Sequence, residues 1–487
     1  MSERVATDRT RPLPRSDRRA WWIDAVVLTV VAVVLRIPAF VAGRHLTYDD
    51  GFFGLSAIEM RNGVVPFKEL FSPQGPLHLP LLYLADLIGF RTSNAPRVLP
   101  IVAGAAVTVV TYAAGRRSSS RFGALVAAVL VTTSGSIVWV TTGITSDGPA
   151  LAFAIGAVAV AFGYQQDPTS GRAVVAGALL GAAIVVKALA GPAALAVALL
   201  LLSRRRPRDV AYAAGAAVVV ALGAALPWGL GRVWDQSISY NRNASRLTSY
   251  WGAVTKAWHT LVDRDPIVLV AVGLALAMLL LARLGWVRAA DRPRSTPGPV
   301  LFRPATVLAI WLAAQFALLV YEPAFWRPHV AFLIAPLALL VGLRPPPLVA
   351  LVVGAIAVAP WYWTNMHSML WPDPYTAAER AAVDDLRGLP SGARAISDEP
   401  GYLWRADRLT VPYYDDSSVK RIEQGQITAA KLARAAANPD VCGVLVWTSR
   451  YADLDLGPRL AAAGYEVKAR YGGPRVLYAK RDCPSGG

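Results

Sequence analysis

The sequence predicts a polytopic α-helical membrane protein followed by a small extracytoplasmic α/β domain. Of the 487 residues, 55% are hydrophobic, which is too high a fraction for a soluble chain of this length. Apolar stretches recur as far as residue 363, many of them of the roughly 17–25 residues that a bilayer-spanning helix needs. From residue 373 the apolar runs shorten to the length of strands.

The net charge of +17 follows a membrane pattern. Arg and Lys cluster in short loops between apolar runs, as expected of loops on the cytoplasmic side of a membrane. We therefore expect membrane lipids as partners and no nucleic acid. Residues 1–20 hold six arginines and form the predicted cytoplasmic basic tail.

The distribution of arginines also predicts the topology. If residues 77–90 lie in the membrane interface or form a re-entrant segment instead of spanning, every short-loop arginine cluster falls on one side. Helix 1, residues 21–41, then runs outward, and the transmembrane domain covers residues 21–363 with about eleven spans in a multi-pass protein of the cell membrane. The odd number of spans places residues 373–487 outside the cytoplasm. The ten later spans are predicted at 95–115, 122–142, 147–165, 172–187, 190–203, 210–230, 266–285, 303–321, 328–344 and 347–363.

The first outer loop, residues 44–76, carries the adjacent carboxylates Asp49 and Asp50 close to the end of helix 1. A carboxylate near the membrane surface can act as general base on an acceptor hydroxyl, and its neighbour can orient it or bind a metal. The alternative is a solvated pair that caps a short interfacial helix starting near Phe52 and ending at Gly63.

Four further residues lie at predicted outer ends of spans. Asp147 precedes a Pro-led helix start, so capping is its alternative role. Lys187 lies at a helix break, where burial costs about 2.5–3.5 kcal/mol and a phosphate partner would offset that cost; the alternative is snorkelling to the headgroups. Arg327 and His329 begin another helix, and Arg binds phosphate well. Their alternatives are an interfacial belt or, for Arg327, an ion pair with Glu322.

The segment after residue 373 alternates short strands with helical patterns, which predicts a small α/β domain. It contains both cysteines, Cys442 and Cys483, and whether they pair stays open because sequence does not place their Cα atoms. The strands are predicted at 393–396, 441–447 and 476–479, and the helices at 427–436 and 456–463.

In their order and spacing, several motifs resemble the GT-C superfamily of membrane glycosyltransferases, in particular its protein O-mannosyltransferase and aminoarabinose-transferase-like branch. The resemblance covers roughly residues 20–345. The motifs are Asp49-Asp50 after helix 1, Arg97-Val98-Leu99-Pro100 at a helix start, Gly115-Arg116-Arg117 at an inner turn, the outer-loop Asp147, the break from Lys187 to Pro192, and the Pro-containing helix start from Arg327 to Pro336.

The resemblance implies transfer of a hexosyl or pentosyl group from a polyprenyl-phosphate donor to an acceptor hydroxyl on the outer face, with inversion, in the cell envelope. The acceptor would be a lipid, a glycan or a protein. The implied roles are general base for Asp49, orientation of donor or acceptor for Asp50 and Asp147, and binding of the lipid phosphate for Lys187, Arg327 and His329.

The resemblance fixes no cofactor. A divalent metal is left open, with Asp49 and Asp50 as its ligands if there is one. Two other functions also remain open: a polyprenyl-linked sugar flippase or transporter, which would use the same charged residues with alternating access, and a scaffold whose outer domain binds a partner.

Overall fold

The structure is a computed structural model that describes residues 15–284 and 299–483. The first fourteen residues of the predicted tail, and most of the predicted cytoplasmic loop at 286–303, lie outside these ranges. Residues 15–20 belong to the first helix rather than to a tail. The helices up to the loop are α1 (Arg15–Val34), α2 (Ile37–Val41), α3 (Tyr48–Arg61), α4 (His78–Ile88), α5 (Val98–Ser118), α6 (Arg121–Thr133), α7 (Gly135–Thr142), α8 (Asp147–Gln166), α9 (Ser170–Val186), α10 (Ala193–Leu202), α11 (Pro207–Ala225), α12 (Leu230–Val233), α13 (Tyr240–Arg242), α14 (Tyr250–Arg264) and α15 (Pro266–Arg283).

The second described range begins with three apolar helices and continues into the C-terminal domain. The helices are α16 (Pro304–Tyr321), α17 (Ala331–Leu343), α18 (Leu348–Leu370), α19 (Ala377–Arg387), α20 (Pro400–Ala406), α21 (Val419–Glu423), α22 (Ala429–Ala436), α23 (Ser449–Ala452) and α24 (Gly457–Ala462). The strands are β1 (Arg394–Ser397), β2 (Val441–Val446), β3 (Tyr465–Arg470) and β4 (Val476–Lys480).

Every predicted span coincides with one or two helices. Within the described ranges, six helices are long and apolar enough to cross a membrane, and α6 and α7 would add a seventh if this pair, bent by 57°, is one span. The number of spans that cross stays a prediction. The predicted interfacial segment at 77–90 contains α4, whose 11 residues would measure about 16 Å, roughly half the thickness of a bilayer core.

Small residues let α9 and α11 pack closely. A methyl group at Gly177 of α9 would overlap the backbone of Ala213 in α11, and one at Gly181 would approach the backbone of Ala217 to 2.7 Å. Close backbone approach is a main source of helix association where lipid removes the hydrophobic driving force. Gly177 and Gly181 therefore serve the packing of α9 against α11.

The C-terminal domain contains a four-stranded sheet in the order β1-β2-β4-β3. β1 is parallel to β2, and the other two pairs are antiparallel. The three predicted strands are observed. β3 was missed because it lies at the edge of the sheet and alternates apolar with polar residues, so that it contains no apolar run. Cys442 and Cys483 form a disulfide with their Cα atoms 5.6 Å apart, which decides the open pairing.

This domain packs directly on α3. Phe52, Phe53 and Leu55 of α3 share one buried cluster with Leu403 and Trp404 of α20. The contact is close, because a methyl group at Gly54 would overlap the Trp404 ring. The C-terminal domain and the first outer loop therefore lie at the same end of the helical bundle.

Candidate functional site

The first turn of α3 presents the two adjacent carboxylates. The helix begins at Tyr48, four residues before the predicted start, and its N-cap is Thr47, whose hydroxyl accepts from the Asp50 amide at 3.2 Å. Capping by the carboxylate pair is therefore not what the structure shows. Consecutive residues of a helix point about 100° apart, so Asp49 and Asp50 meet different surroundings.

Asp50 points into the protein and is fully buried. Its carboxylate accepts from Arg97 at 2.6 Å, from the Ile144 amide at 3.0 Å and from the Leu46 amide at 2.7 Å. Arg97 also donates to the carbonyl of Ala42 at 2.7 Å. This ion pair ties α3 to the start of α5 and to the loop before α8, and Asp50 does not line the cavity described next.

Asp49 faces a cavity of about 1520 Å³. Among the residues that the structure describes, none forms a hydrogen bond or an ion pair with its carboxylate. Burial raises the pKa of Asp49 to about 6, and the positive charge of Lys187 opposes that rise. Asp49 is therefore a carboxylate with free oxygen atoms and an increased affinity for a proton.

Two ion pairs lie in the same cavity. Lys187, at the break after α9, donates to Asp147 at 2.7 Å, and His329 lies 2.8 Å from Glu322. The second carboxylate oxygen of Asp147 is buried and, within the two described ranges, has no hydrogen-bond partner. The structure thus brings together four of the six predicted site residues: Asp49, Asp147, Lys187 and His329.

Arg327 is the second predicted site residue that does not line the cavity. Its side chain is 45% exposed and pairs with Asp263 at 2.6 Å. Its neighbours Trp326 and Pro328 do line the cavity, because the 3₁₀ turn Arg327–Val330 directs successive side chains to different sides. The suggested pairing of Arg327 with Glu322 is corrected, since Glu322 pairs with His329.

One side of the cavity is apolar. It is formed by the end of α11 and the segment that follows, including α12. A cavity that is lined both by charged groups and by an apolar segment suits an amphiphilic ligand. The apolar lining residues of this wall are Ala221, Leu222, Ala225, Leu230, Val233, Trp234 and Ile238.

Comparison with known proteins identifies this arrangement of helices. Residues 75–230 match the sequence profile of the family described as dolichyl-phosphate-mannose-protein mannosyltransferase. Among solved structures, ArnT from Cupriavidus metallidurans bound to undecaprenyl phosphate is 14% identical, with a TM-score of 0.63 over 94% of this chain and 98% of that one. The chain has the fold of the GT-C membrane glycosyltransferases.

Two further GT-C structures show the same likeness. The apo oligosaccharyltransferase of Archaeoglobus fulgidus is 12% identical, with a TM-score of 0.59 over 96% of this chain and 75% of that one. AglB from the same organism, in complex with an inhibitory peptide and a dolichol-phosphate, is also 12% identical, with a TM-score of 0.50 and the same coverage. No curated protein sequence matches the chain.

The cavity also has contributors that the sequence did not predict. Tyr48 donates to Asp416 of the C-terminal domain at 2.6 Å, which closes the site beside Asp49. These residues lie more than 350 positions apart in the chain, and no local pattern links them. The missed lining residues include Gln74, Asp416, Ser418, Lys420, Thr448, Ser449 and Arg450.

The carboxylate pair does not fit a metal site. Asp50 is occupied by Arg97 and two backbone amides, so only Asp49 remains as a free carboxylate ligand of the pair. In residues 15–284 and 299–483, no three His, Cys, Asp or Glu side chains are grouped to hold a metal ion. A stable divalent site needs more protein ligands than this pair offers.

Proposed function

We propose that this protein transfers a sugar from a polyprenyl-phosphate donor to an acceptor hydroxyl at the outer face of the membrane, with inversion and with Asp49 as general base. The observation that carries the proposal is the unpaired Asp49 carboxylate in a cavity that is lined both by charged groups and by an apolar segment. A lipid with a sugar phosphate headgroup has the same division of character.

Asp49 would act on the acceptor hydroxyl. The acceptor oxygen attacks the anomeric carbon while Asp49 takes the hydroxyl proton. The new carbon–oxygen bond forms as the bond to the phosphate oxygen breaks, and the phosphate leaves with the electron pair. Since burial raises its pKa to about 6, Asp49 is mostly ionised at neutral pH and is still a stronger base than an ordinary aspartate.

The remaining charged groups would orient the donor and stabilise the departing phosphate. Lys187 and His329 supply positive or hydrogen-bonding groups on the same cavity wall. The partner-free oxygen of Asp147 can accept a hydrogen bond from a sugar hydroxyl. Asp50 and Arg327, which lie outside the cavity, would act as positioning residues through their ion pairs.

The comparisons support a lipid phosphate as the donor class. ArnT was solved bound to undecaprenyl phosphate and AglB with a dolichol-phosphate, and both share the fold of this chain. Hexosyl and pentosyl donors both fit a cavity of about 1520 Å³. The acceptor would be a lipid, a glycan or a protein.

The test uses purified protein in lipid with a panel of polyprenyl-phosphate sugars. Donor binding and release of polyprenyl phosphate are measured for the wild type, Asp49→Asn and the control Asp235→Asn. Asp235 is an exposed carboxylate next to the cavity-lining Trp234 but does not line the cavity itself. We expect Asp49→Asn to bind donor without turning it over, and the control to behave as the wild type.

A different outcome would show that the protein is a transporter and not a transferase. This would follow if wild type and Asp49→Asn both bind donor, neither releases polyprenyl phosphate with any acceptor, and both move the donor across vesicle membranes.

A further inference from the structure

Two of the four Lys and Arg side chains that line the cavity pair with a carboxylate, whereas Arg242 and Lys420 form no ion pair with any described residue. The pairs are Lys187–Asp147 at 2.7 Å and Arg450–Glu399 at 2.9 Å, and His329 lies 2.8 Å from Glu322. A paired cation can still donate a hydrogen bond to a phosphate, but it offers an anionic ligand less net positive charge than an unpaired cation does.

Lys420 of α21 differs from the paired cations, and unlike the exposed Arg242 it is half-buried. Its ammonium donates to the neutral Asn241 side chain at 3.2 Å and lies 5.9 Å from the Tyr240 ring centre. No carboxylate of the described residues forms an ion pair with it. A half-buried ammonium without a counter-ion is unfavourable, and burial accordingly lowers the pKa of Lys420. An anion in the cavity would restore the balance.

Lys420 faces the same space as the proposed base. It lies at the surface of the C-terminal domain that covers the cavity. Charged side chains from three other parts of the chain act electrostatically on its ammonium. The charges that act on Lys420 are those of Glu322, Lys187, Asp416 and Asp49.

The segment that Lys420 touches changes character along its length. Its first part lines the cavity with the apolar residues Leu230, Val233, Trp234 and Ile238. Its last part lines the cavity with Tyr240, Asn241 and Arg242. A prenyl chain lying on the first part would bring its phosphate to the last part, where Lys420 meets Asn241.

We propose that Lys420 binds the phosphate of the polyprenyl-phosphate donor, so that the C-terminal domain supplies part of the donor site. This inference rests on the proposed function, because it deepens the description of the same cavity. Lysine is suited to the task as a compact positive charge with three donors.

A purely structural role for Lys420 must be separated from this one. The same interface is also held by Gln424, which donates to the Tyr240 carbonyl at 3.1 Å, and by the Tyr240 and Ser418 hydroxyls, 2.9 Å apart. Gln424 does not line the cavity. Gln424→Ala therefore weakens the interface without removing a charge from the cavity, and it is the matched control.

The experiment measures binding of polyprenyl phosphate, neutral polyprenol and inorganic phosphate to the full-length protein in lipid nanodiscs. The variants are Lys420→Gln, Lys420→Arg and Gln424→Ala. We expect Lys420→Gln to weaken binding of polyprenyl phosphate about tenfold, as for loss of one charge-assisted contact. Binding of polyprenol should not change, Lys420→Arg should recover most of the loss, and Gln424→Ala should match the wild type.

Three results would overturn the assignment: Lys420→Gln binds polyprenyl phosphate as the wild type does, Gln424→Ala loses as much affinity, or polyprenol binding falls in parallel. Binding of inorganic phosphate as tightly as the lipid would also overturn it, by assigning the site to a free anion. Failure of the wild type to bind polyprenyl phosphate would refute the proposed function and the assignment together. Binding without sugar transfer would refute only the transferase, and the Lys420 comparison would still decide the phosphate contact.

Discussion

Asp49 and Asp50 are neighbours in the chain, yet the fold gives their carboxylates opposite surroundings. Asp50 is fully buried, and its two oxygens are occupied by Arg97 and two backbone amides. Asp49, one residue earlier, faces the cavity and has no hydrogen-bond or ion-pair partner among the described residues. The first carboxylate is available for chemistry, and the second holds the helix that presents it.

The difference has a physical cause. Folding stabilises the charge of Asp50 with an arginine and donors aimed at it, which lowers the pKa of Asp50 despite its burial. Folding removes water from Asp49 without supplying donors, which raises the pKa of Asp49. Of these two adjacent aspartates, Asp50 is therefore a stable ion and Asp49 is a base.

Replacing Asp49 by Asn should have the largest effect. Loss of the base should reduce turnover by about 10²–10⁴-fold while donor binding persists. Since folding raises the pKa of Asp49, its stabilising contribution is present at low pH and is lost as the pH rises through about 6. The variant should therefore be at least as stable as the wild type at pH 7. Turnover and thermal unfolding, measured on one preparation, check both statements; an active variant would remove Asp49 from the mechanism.

Replacing Asp50 by Asn should act on the fold. It leaves Arg97 buried without its counter-ion, and breaking one side of a buried pair costs about 3–5 kcal/mol. We expect a large fall in stability, with activity lost as a consequence. The double variant Asp50→Asn/Arg97→Met should recover part of the stability. A stable but inactive Asp50→Asn protein would instead give Asp50 a direct role in the reaction.

The pH dependence of turnover should reflect Asp49. The base works when ionised, so the rate should rise about tenfold per pH unit below about 6 and level off above it. Lys187 lowers the pKa of Asp49, so Lys187→Met should move the inflection to higher pH. The measurement is a pH profile of kcat/KM for both proteins. An inflection near 4, the value of an ordinary aspartate, would contradict the assigned environment.

Replacing Arg327 by Gln should have the smallest effect. Its ion pair with Asp263 is largely exposed, and exposed pairs contribute about 0–1 kcal/mol. We expect turnover and donor affinity to change by less than about fivefold. Lys187→Met, at the cavity wall, is the contrasting variant in the same binding assay. If Arg327→Gln lost as much donor affinity as Lys187→Met, Arg327 would be shown to contact the donor.

The fold class could be predicted because it depends on local composition. Long apolar runs and loops rich in arginine indicate membrane-spanning helices directly. The resemblance to GT-C enzymes is confirmed for the fold by the structural comparisons. The sequence also led to Asp49, Asp147, Lys187 and His329, which lie together around one cavity. The strand β3 was missed because an edge strand with one face in water lacks an apolar run.

The sequence by itself determined that the protein is a membrane protein, where its helices lie and which charged residues lie near their ends, because these properties depend on hydropathy and charge within short windows. Only the tertiary structure decided which of two adjacent carboxylates faces the cavity, since that depends on the rotation of α3 against Arg97. It alone also brought Lys420 and Asp416 to the site and kept Arg327 outside it. Those outcomes depend on contacts between residues that are far apart in the chain, and no local pattern records them.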